Sequence, residues 1–335
     1  MNATLSDTRR GGIETEAGRD ARRRAEVLAR PDWLERHLAD PLVRVVEVDV
    51  NGRAFAEGHI AGAVLWDVYI DLKDGEYRLR DAAAVEALLA RSGIAAESTV
   101  VFYGYAPAIG FWLLKLYGHR DARILDCSRG TWVAEGRPWG AEAVPEDEEP
   151  APAGYPVPAP DARLRVDADE VAQMIDDPDA TILDMRTRLE FDGERFWPSG
   201  GFEPGGRAGH IPSAVNLPLA GHLDEEGRFR PSGELRALFE SALPRGGGPS
   251  RVAVTYCTIG ARACMAWFIL TSLLGEEGVR VYDGGWAEWG LIPGVQVEGR
   301  RWFSRRMPRV DAVRAPRRSW GVPAIADTPQ SAPQF

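Results

Sequence analysis

The stretch VAVTYCTIGARACMAW, Val252 to Trp267, places Cys257 where an apolar run gives way to a short loop, with Arg262 five positions later. A thiolate is a strong nucleophile, and a fixed cation or a field of backbone N–H groups favours it over the thiol. Arg251–Tyr256 reads as a strand, and the residues from Ala263 onward read as a helix. Cys257 is therefore expected on a strand–loop–helix turn at the carboxyl end of a strand, where open α/β sheets place their ligands. The loop residues Thr258, Ile259, Gly260 and Ala261 are expected to turn their backbone N–H groups inward around an anion. Gly260 lets the loop turn tightly, and Arg262 can pair with a thiolate or an oxyanion. The competing reading of Cys257 is a buried structural thiol. The register of Arg262 with Cys257 argues against it.

The elements that must hold this turn come from a chain of 335 residues, long enough for two domains. A 44% hydrophobic content is that of a globular protein, and a net charge of -10 speaks against a general nucleic-acid binder. No apolar run approaches the roughly 20 residues that cross a bilayer. The N-terminal MNATLSDTRRGGIETEAGRDARRR has no apolar core, so no secretory leader is expected and the cytoplasm is the default location. Cys127, Cys257 and Cys264 form no disulfide framework, and the histidines show no metal-binding spacing. No metal site is expected.

The main organisational signal is an internal repeat. VRVVEVDV (Val43–Val50) resembles ATILDMRT (Ala180–Thr187), and GHIAGAV (Gly58–Val64) resembles GHIPSAV (Gly209–Val215). TVVFYGY (Thr99–Tyr105) resembles VAVTYCT (Val252–Thr258), and Leu116–Trp132 resembles Leu273–Trp289. In the second half, strands are expected at Thr181–Met185, Ala214–Asn216, Arg251–Tyr256 and Val279–Tyr282. Helices are expected at Val166–Ile175, Pro231–Ala242 and Ala261–Leu274. Alternating apolar strands and helices predict an α/β fold: two tandem domains, each a parallel sheet covered by helices on both faces. The expected division is a flexible segment 1–24, a first domain 25–140, a Pro- and acid-rich linker 141–162, a second domain 163–299 and a tail 300–335.

The loop C-T-I-G-A-R, with YCTIGARACMAWF followed by RVYDGGWAEWG and preceded by GRAGHIPSAVNLP, resembles the active-site region of the rhodanese, or sulfurtransferase, superfamily. DWLERHL, VRVVEVD and KLYGHRDARILD resemble the first domain of its two-domain members. The resemblance implies that the thiolate of Cys257 takes the outer sulfur of a small anionic donor as a persulfide. That sulfur then passes to cyanide, a thiol or an acceptor protein. It implies no metal or organic cofactor, no nucleic acid and no membrane. Phosphatases of this general fold carry one residue more between Cys and Arg. Thr258 and Ile259 are neutral, which fits neither donor template cleanly; the loop style favours thiosulfate, with 3-mercaptopyruvate the alternative.

Aligning Tyr103 with Tyr256 sets Gly104 opposite Cys257, so the first domain is expected to be catalytically silent. Tyr103, Tyr105 and Trp66 are candidates for a wall of the pocket. In the family, an Asp-x-Arg such as Asp184–Arg186 supports the active loop, and arginines near it meet the donor; Arg186 is taken as a candidate substrate contact, and Arg188 as a weaker one. A structural salt bridge is the alternative for both. Glu190 stands where the family's second arginine usually comes close. His59, His210, Cys127 and Cys264 are read as structural, with a resolving role for Cys264 as a minor alternative. The aromatic segment 189–209 is either packed on itself or forms a lip over the pocket.

Overall fold

The computed structural model describes residues 15–141, 154–240 and 252–299. Twelve strands are defined among them. Those of the first half are β1 (Leu28–Ala29), β2 (Val43–Asp49), β3 (His59–Ile60), β4 (Val64–Asp67), β5 (Thr99–Gly104), β6 (Asp121–Leu125) and β7 (Trp139–Gly140). Those of the second half are β8 (Arg165–Val166), β9 (Ala180–Asp184), β10 (Val215–Asn216), β11 (Val252–Tyr256) and β12 (Val279–Tyr282). Two five-stranded parallel sheets result, ordered β1-β6-β5-β2-β4 and β8-β12-β11-β9-β10, while β3 and β7 pair separately as an antiparallel ribbon. The two orders are the same permutation of equivalent strands. The strands sit under helices on both faces, so they read as continuous Val- and Ile-rich runs rather than as alternating ones.

Parallel register brings the two halves of the repeat into the same local design. Tyr256 lies opposite Asp184, and Tyr103 lies opposite Glu47. The Tyr256 hydroxyl donates to Asp184 at 2.5 Å and accepts the Ile211 N–H. The Tyr103 hydroxyl accepts the Ile60 N–H. The histidine of each GHI motif stacks on a phenylalanine, His59 on Phe55 at 3.9 Å and His210 on Phe191 at 3.5 Å. Each ring also contacts that phenylalanine's carbonyl through Nδ1. Both histidines therefore work as structural pins.

The sheets meet through the helices that follow β5 and β11. Helix Pro107–Leu116 is buried along almost its whole length, as is Ala261–Trp267, which continues into a wider π-type turn over Phe268–Leu273. Phe111 meets Phe268 edge-on at 4.8 Å and lies 6.3 Å from Trp267. One apolar core therefore runs through both halves. The N-terminal boundary differs from expectation. Glu16–Val27 is a helix, not a flexible segment, because its arginines cap carbonyls of the second half. Arg23 donates to Leu273 O at 3.1 Å, and Arg24 to Phe229 O and Arg230 O at 2.7 and 3.1 Å. The described end of the expected linker packs on the first half, with Val157 N–H on Glu86 and Tyr155 on His119. The expected tail lies outside the described residues.

A buried ion pair ties the first half to the loop of the second. Lys73 Nζ donates to the Asp283 carbonyl at 2.8 Å and to its carboxylate at 3.1 Å, both side chains being 2% exposed. Asp283 also accepts from Arg165 at 2.6 Å and from the Leu79 N–H at 2.8 Å. Burial opposes charge on Asp283, but Lys73 and Arg165 outweigh it and hold the carboxyl below its ordinary range. Lys73→Met is expected to lower stability by about 3 kcal/mol, since it breaks a buried pair from one side. Urea denaturation of both proteins checks this; an unchanged midpoint contradicts it.

Candidate active site

Strand β11 ends at Tyr256, and Cys257 begins the turn into helix Ala261–Trp267. The loop's shape is set by where its carbonyls go. The Trp286 N–H donates to Cys257 O at 2.7 Å, and the Ala287 N–H donates to Thr258 O at 2.9 Å. The Cys264 N–H takes Gly260 O at 2.8 Å. These contacts hold the carbonyls of Cys257, Thr258 and Gly260 away from the sulfur. The Gly260 N–H donates to Cys257 Sγ at 3.2 Å. Gly260 has φ +98°, a conformation that favours glycine. Gly285, in the DGGW segment, has φ +58°, and a Cβ there would lie 2.5 Å from Cys257 O and 2.8 Å from Thr258 O. Gly285 thus lets the backbone after β12 approach the loop closely enough to hold it, whereas a Cβ at Gly284 would collide with the Glu288 side chain.

Arg262 is fixed from the opposite side by a residue of helix Arg188–Phe191. Its Nη1 and Nη2 donate to the two carboxylate oxygens of Glu190 at 2.9 and 2.8 Å, and Nη2 also reaches Thr258 Oγ1 at 2.9 Å. The Thr258 hydroxyl donates to Glu190 at 2.8 Å, as does that of Thr187, which caps the same helix. Glu190 has no exposed surface and Arg262 is 7% exposed. Burial resists charge on Glu190, but the Arg262 hydrogen bonds and charge, with those of Thr187 and Thr258, bring its carboxyl down to about 2. The pair also holds Arg262 firmly charged against its own burial.

The predicted residues divide clearly. Cys257, Thr258, Ile259, Gly260, Ala261 and Arg262 form one loop, with Cys257 1% exposed. Arg186 is a correction. It has no exposed surface and is locked on Asp184 at 2.6–3.1 Å and on Gly209 O at 2.8 Å. Its guanidinium lies over Trp286, 4.6 Å from the ring centre. It braces β9 against the DGGW segment and presents nothing to a donor. Arg188 pairs with Asp192 at the surface. Of the three expected wall residues, Tyr103 and Trp66 are core, whereas Tyr105 is at the site. Tyr105 lines a small cleft with Ala106, Leu219, His222, Ala261, Arg262 and Met265, so both halves build it. Tyr69 of the first half, like Tyr105, lies within electrostatic reach of Cys257 and is 40% exposed. The segment 189–209 is largely packed. Phe196 is buried against Trp286, and Trp197 meets Tyr77 of the first half.

The other two thiols are shut away. Burial pushes Cys127 up to about 12 and Cys264 well above its ordinary range. Opposite Cys257, Gly104 has φ +106°, and a Cβ there would fall 2.9 Å from Val48 O. No side chain fits at that point in the first half. Glu190, Lys73, Gly285 and His222 were not singled out for the site from the sequence. The first two signals lay in plain view, a carboxylate near the expected donor arginines and one of only two lysines.

A "Putative thiosulfate sulfurtransferase" of Mycolicibacterium smegmatis is 37% identical over 281 residues, covering 82% of this chain and 98% of that protein. The chain belongs to the rhodanese superfamily of sulfurtransferases. The rhodanese-like domain model matches residues 167–291, the half that carries Cys257. A rhodanese relative from Thermus thermophilus, named "Sulfur carrier protein TtuD", is 39% identical over 283 residues, covering 81% of this chain and 96% of its own. The anaerobic ergothioneine biosynthesis enzyme of Chlorobium limicola, solved with trimethyl histidine, shares the fold at a TM-score of 0.69 and 23% identity, over 82% of this chain and 70% of that one.

Two predictions follow from the rhodanese loop. Gly285→Ala is expected to displace the Cys257 and Thr258 carbonyls and to lower sulfur transfer by about tenfold or more, equivalent to at least ~1.4 kcal/mol. An unchanged rate in a thiocyanate assay contradicts the carbonyl-out account. Acid stability should show Glu190. Its carboxyl is depressed to about 2 from the ordinary 4.5, so its stabilisation is complete above pH 4.5 and is lost as pH falls toward 2. Glu190→Gln should flatten the stability–pH curve in that window in chemical denaturation; an unaltered slope counts against the buried pair.

Proposed function

We propose that the protein is a thiosulfate sulfurtransferase working through a Cys257 persulfide. The observation that carries this reading is the inward-facing loop, with the Gly260 N–H on Cys257 Sγ and the neighbouring carbonyls turned away. The Cys257 thiolate attacks the outer sulfur of thiosulfate. The new S–S bond forms as the old one breaks, and sulfite leaves with the electron pair. The terminal sulfur of the persulfide is anionic and sits among the loop N–H donors, which stabilise it as they would an oxyanion. Cyanide or a thiolate then attacks that terminal sulfur, giving thiocyanate or a new persulfide and returning Cys257 as thiolate. Four residues between Cys257 and Arg262 make a ring suited to one sulfur atom.

Two refinements belong to the same reading. With 3-mercaptopyruvate as donor, the leaving group is the pyruvate enolate, which takes a proton. A protein thiol is the alternative acceptor. The name of the Thermus relative and the exposed Tyr105 in the cleft lining favour a macromolecular contact there. The three free cysteines suit a reducing compartment, and we assign the protein to the cytoplasm. Among the described residues no helix is long and apolar enough to cross a membrane.

The test is thiocyanate formation from cyanide with thiosulfate or 3-mercaptopyruvate. Wild type is expected to turn over thiosulfate faster, and Cys257→Ala to fall to background. No thiocyanate above that background from either donor would falsify the reading; faster turnover of mercaptopyruvate would reassign the donor.

A further inference from the structure

His222 is a titratable side chain of the cleft that sulfur transfer, as described, does not use. It follows β10, and its ring lines the cleft beside Ala261 and Arg262, next to the loop whose Gly260 N–H contacts Cys257 Sγ. It is 2% exposed, and among the described residues neither ring nitrogen has a hydrogen-bond partner. Buried polar atoms are nearly always paired, so two buried, unmet nitrogens on a residue that lines the cleft point to a bound partner. The ring's packing neighbour is Phe229; Ala106, Leu219, Ala261 and Met265 give the cleft apolar walls, and Tyr105 and Arg262 are its other polar lining residues. Burial without a charged partner lowers His222 to about 4, so the imidazole is neutral, with one N–H donor and one acceptor nitrogen.

Arg262 is the only guanidinium in the cleft lining, and Glu190 balances its charge through two hydrogen bonds. An anionic oxygen entering this apolar cleft therefore needs another donor. We propose that His222 binds the oxygen end of the sulfur donor, its ring N–H donating to a sulfonate or carboxylate oxygen beside Arg262 while the sulfur faces Cys257. This rests on the sulfurtransferase reading and adds a specificity residue to it. Donors with an oxyanion next to the transferable sulfur are selected; bare sulfane species gain nothing from His222.

The test compares His222→Leu and His222→Gln with wild type. Persulfide formation on Cys257 is followed by rapid-quench intact mass at varied donor concentration. Three donors are used: thiosulfate, 3-mercaptopyruvate and inorganic hydrodisulfide, which has no oxygen. His222→Leu is expected to raise the half-saturating concentration of an oxyanion donor by about tenfold, the scale of one hydrogen bond to a charged group. It should leave hydrodisulfide unchanged, and His222→Gln, which keeps an N–H, should recover most of the loss. A loss confined to thiosulfate assigns a sulfonate; one confined to mercaptopyruvate assigns a carboxylate. Equal losses for all three donors, or none for either oxyanion, overturn the proposal. A second measurement needs no turnover and no His222 variant. In Cys257→Ala labelled with 15N-histidine, thiosulfate or pyruvate is expected to shift the His222 ring signals, and silence with both overturns the site. A shift there with no persulfide on wild type from any donor retains the oxyanion site and removes the sulfurtransferase reading.

Discussion

The buried pair between Glu190 and Arg262 is the interaction on which the site depends. It joins two pieces of chain that are distant in sequence, the short helix after β9 and the loop, which it holds both at Thr258 and at Arg262 in the helix that follows. A carboxylate with no exposed surface is costly unless its charge and its lone pairs are met. Here Arg262 meets the charge, and Thr187 and Thr258 meet the remaining acceptor sites. The same four groups fix the far end of the loop, while Trp286 and Ala287 fix the near end through the carbonyls of Cys257 and Thr258. Between these two clamps the Gly260 N–H is aimed at the sulfur. Arg262 therefore acts first as a strut of the loop. Its charge is balanced locally, which is why the rest of the cleft matters for recognition of a donor.

The first half shows what the same framework looks like without the chemistry. Tyr103, Ile60 and the His59–Phe55 stack reproduce Tyr256, Ile211 and the His210–Phe191 stack. Glu47 stands in register where Asp184 does, but its cation comes from Arg129 rather than from a residue two positions on. At the catalytic position the backbone of Gly104 leaves no room for a side chain. What this half supplies instead is reach. Tyr105 and Ala106 line the cleft, Tyr69 lies within electrostatic reach of Cys257, and Lys73 crosses to Asp283, two residues before the Gly285 that holds the loop. A Cβ at Gly260 would lie 3.2 Å from Asp283 O and 3.7 Å from Lys73 Nζ, so the loop runs close against this pair. Docking of the two halves and the shape of the loop are thus one structural event.

Much of this was legible in the sequence, because it rests on local patterns. The strands at β9, β11 and β12 fall within a residue or two of their apolar runs, and the order of elements follows from the repeat. The loop Cys257–Arg262 was readable because residue type and spacing specify a turn. What escaped was tertiary. An Asp-x-Arg looks the same whether its arginine faces a ligand or, as with Arg186, turns back onto its own aspartate beneath Trp286. The role of Glu190 depends on a helix one turn long, too short for a periodic signal. Lys73 and His222 sit in polar turns, DLKDGEYR and GHLDEEGRFR, whose composition reads as solvent-exposed. Only packing against the other half, or against the cleft, buries them. The N-terminal helix gives a weak signal because its apolar side is made only of small alanines, Ala17, Ala21 and Ala25, and its arginine–carbonyl contacts are tertiary.

The central claim is that the loop built by these clamps holds a sulfur atom on Cys257. The most direct measurement is peptide mass spectrometry of the native protein after brief exposure to thiosulfate labelled at the outer sulfur, with no acceptor present. The account predicts one labelled sulfur, carried by the Cys257 peptide alone and released by cyanide. Label on Cys127 or Cys264, or none on Cys257 in folded protein, contradicts it.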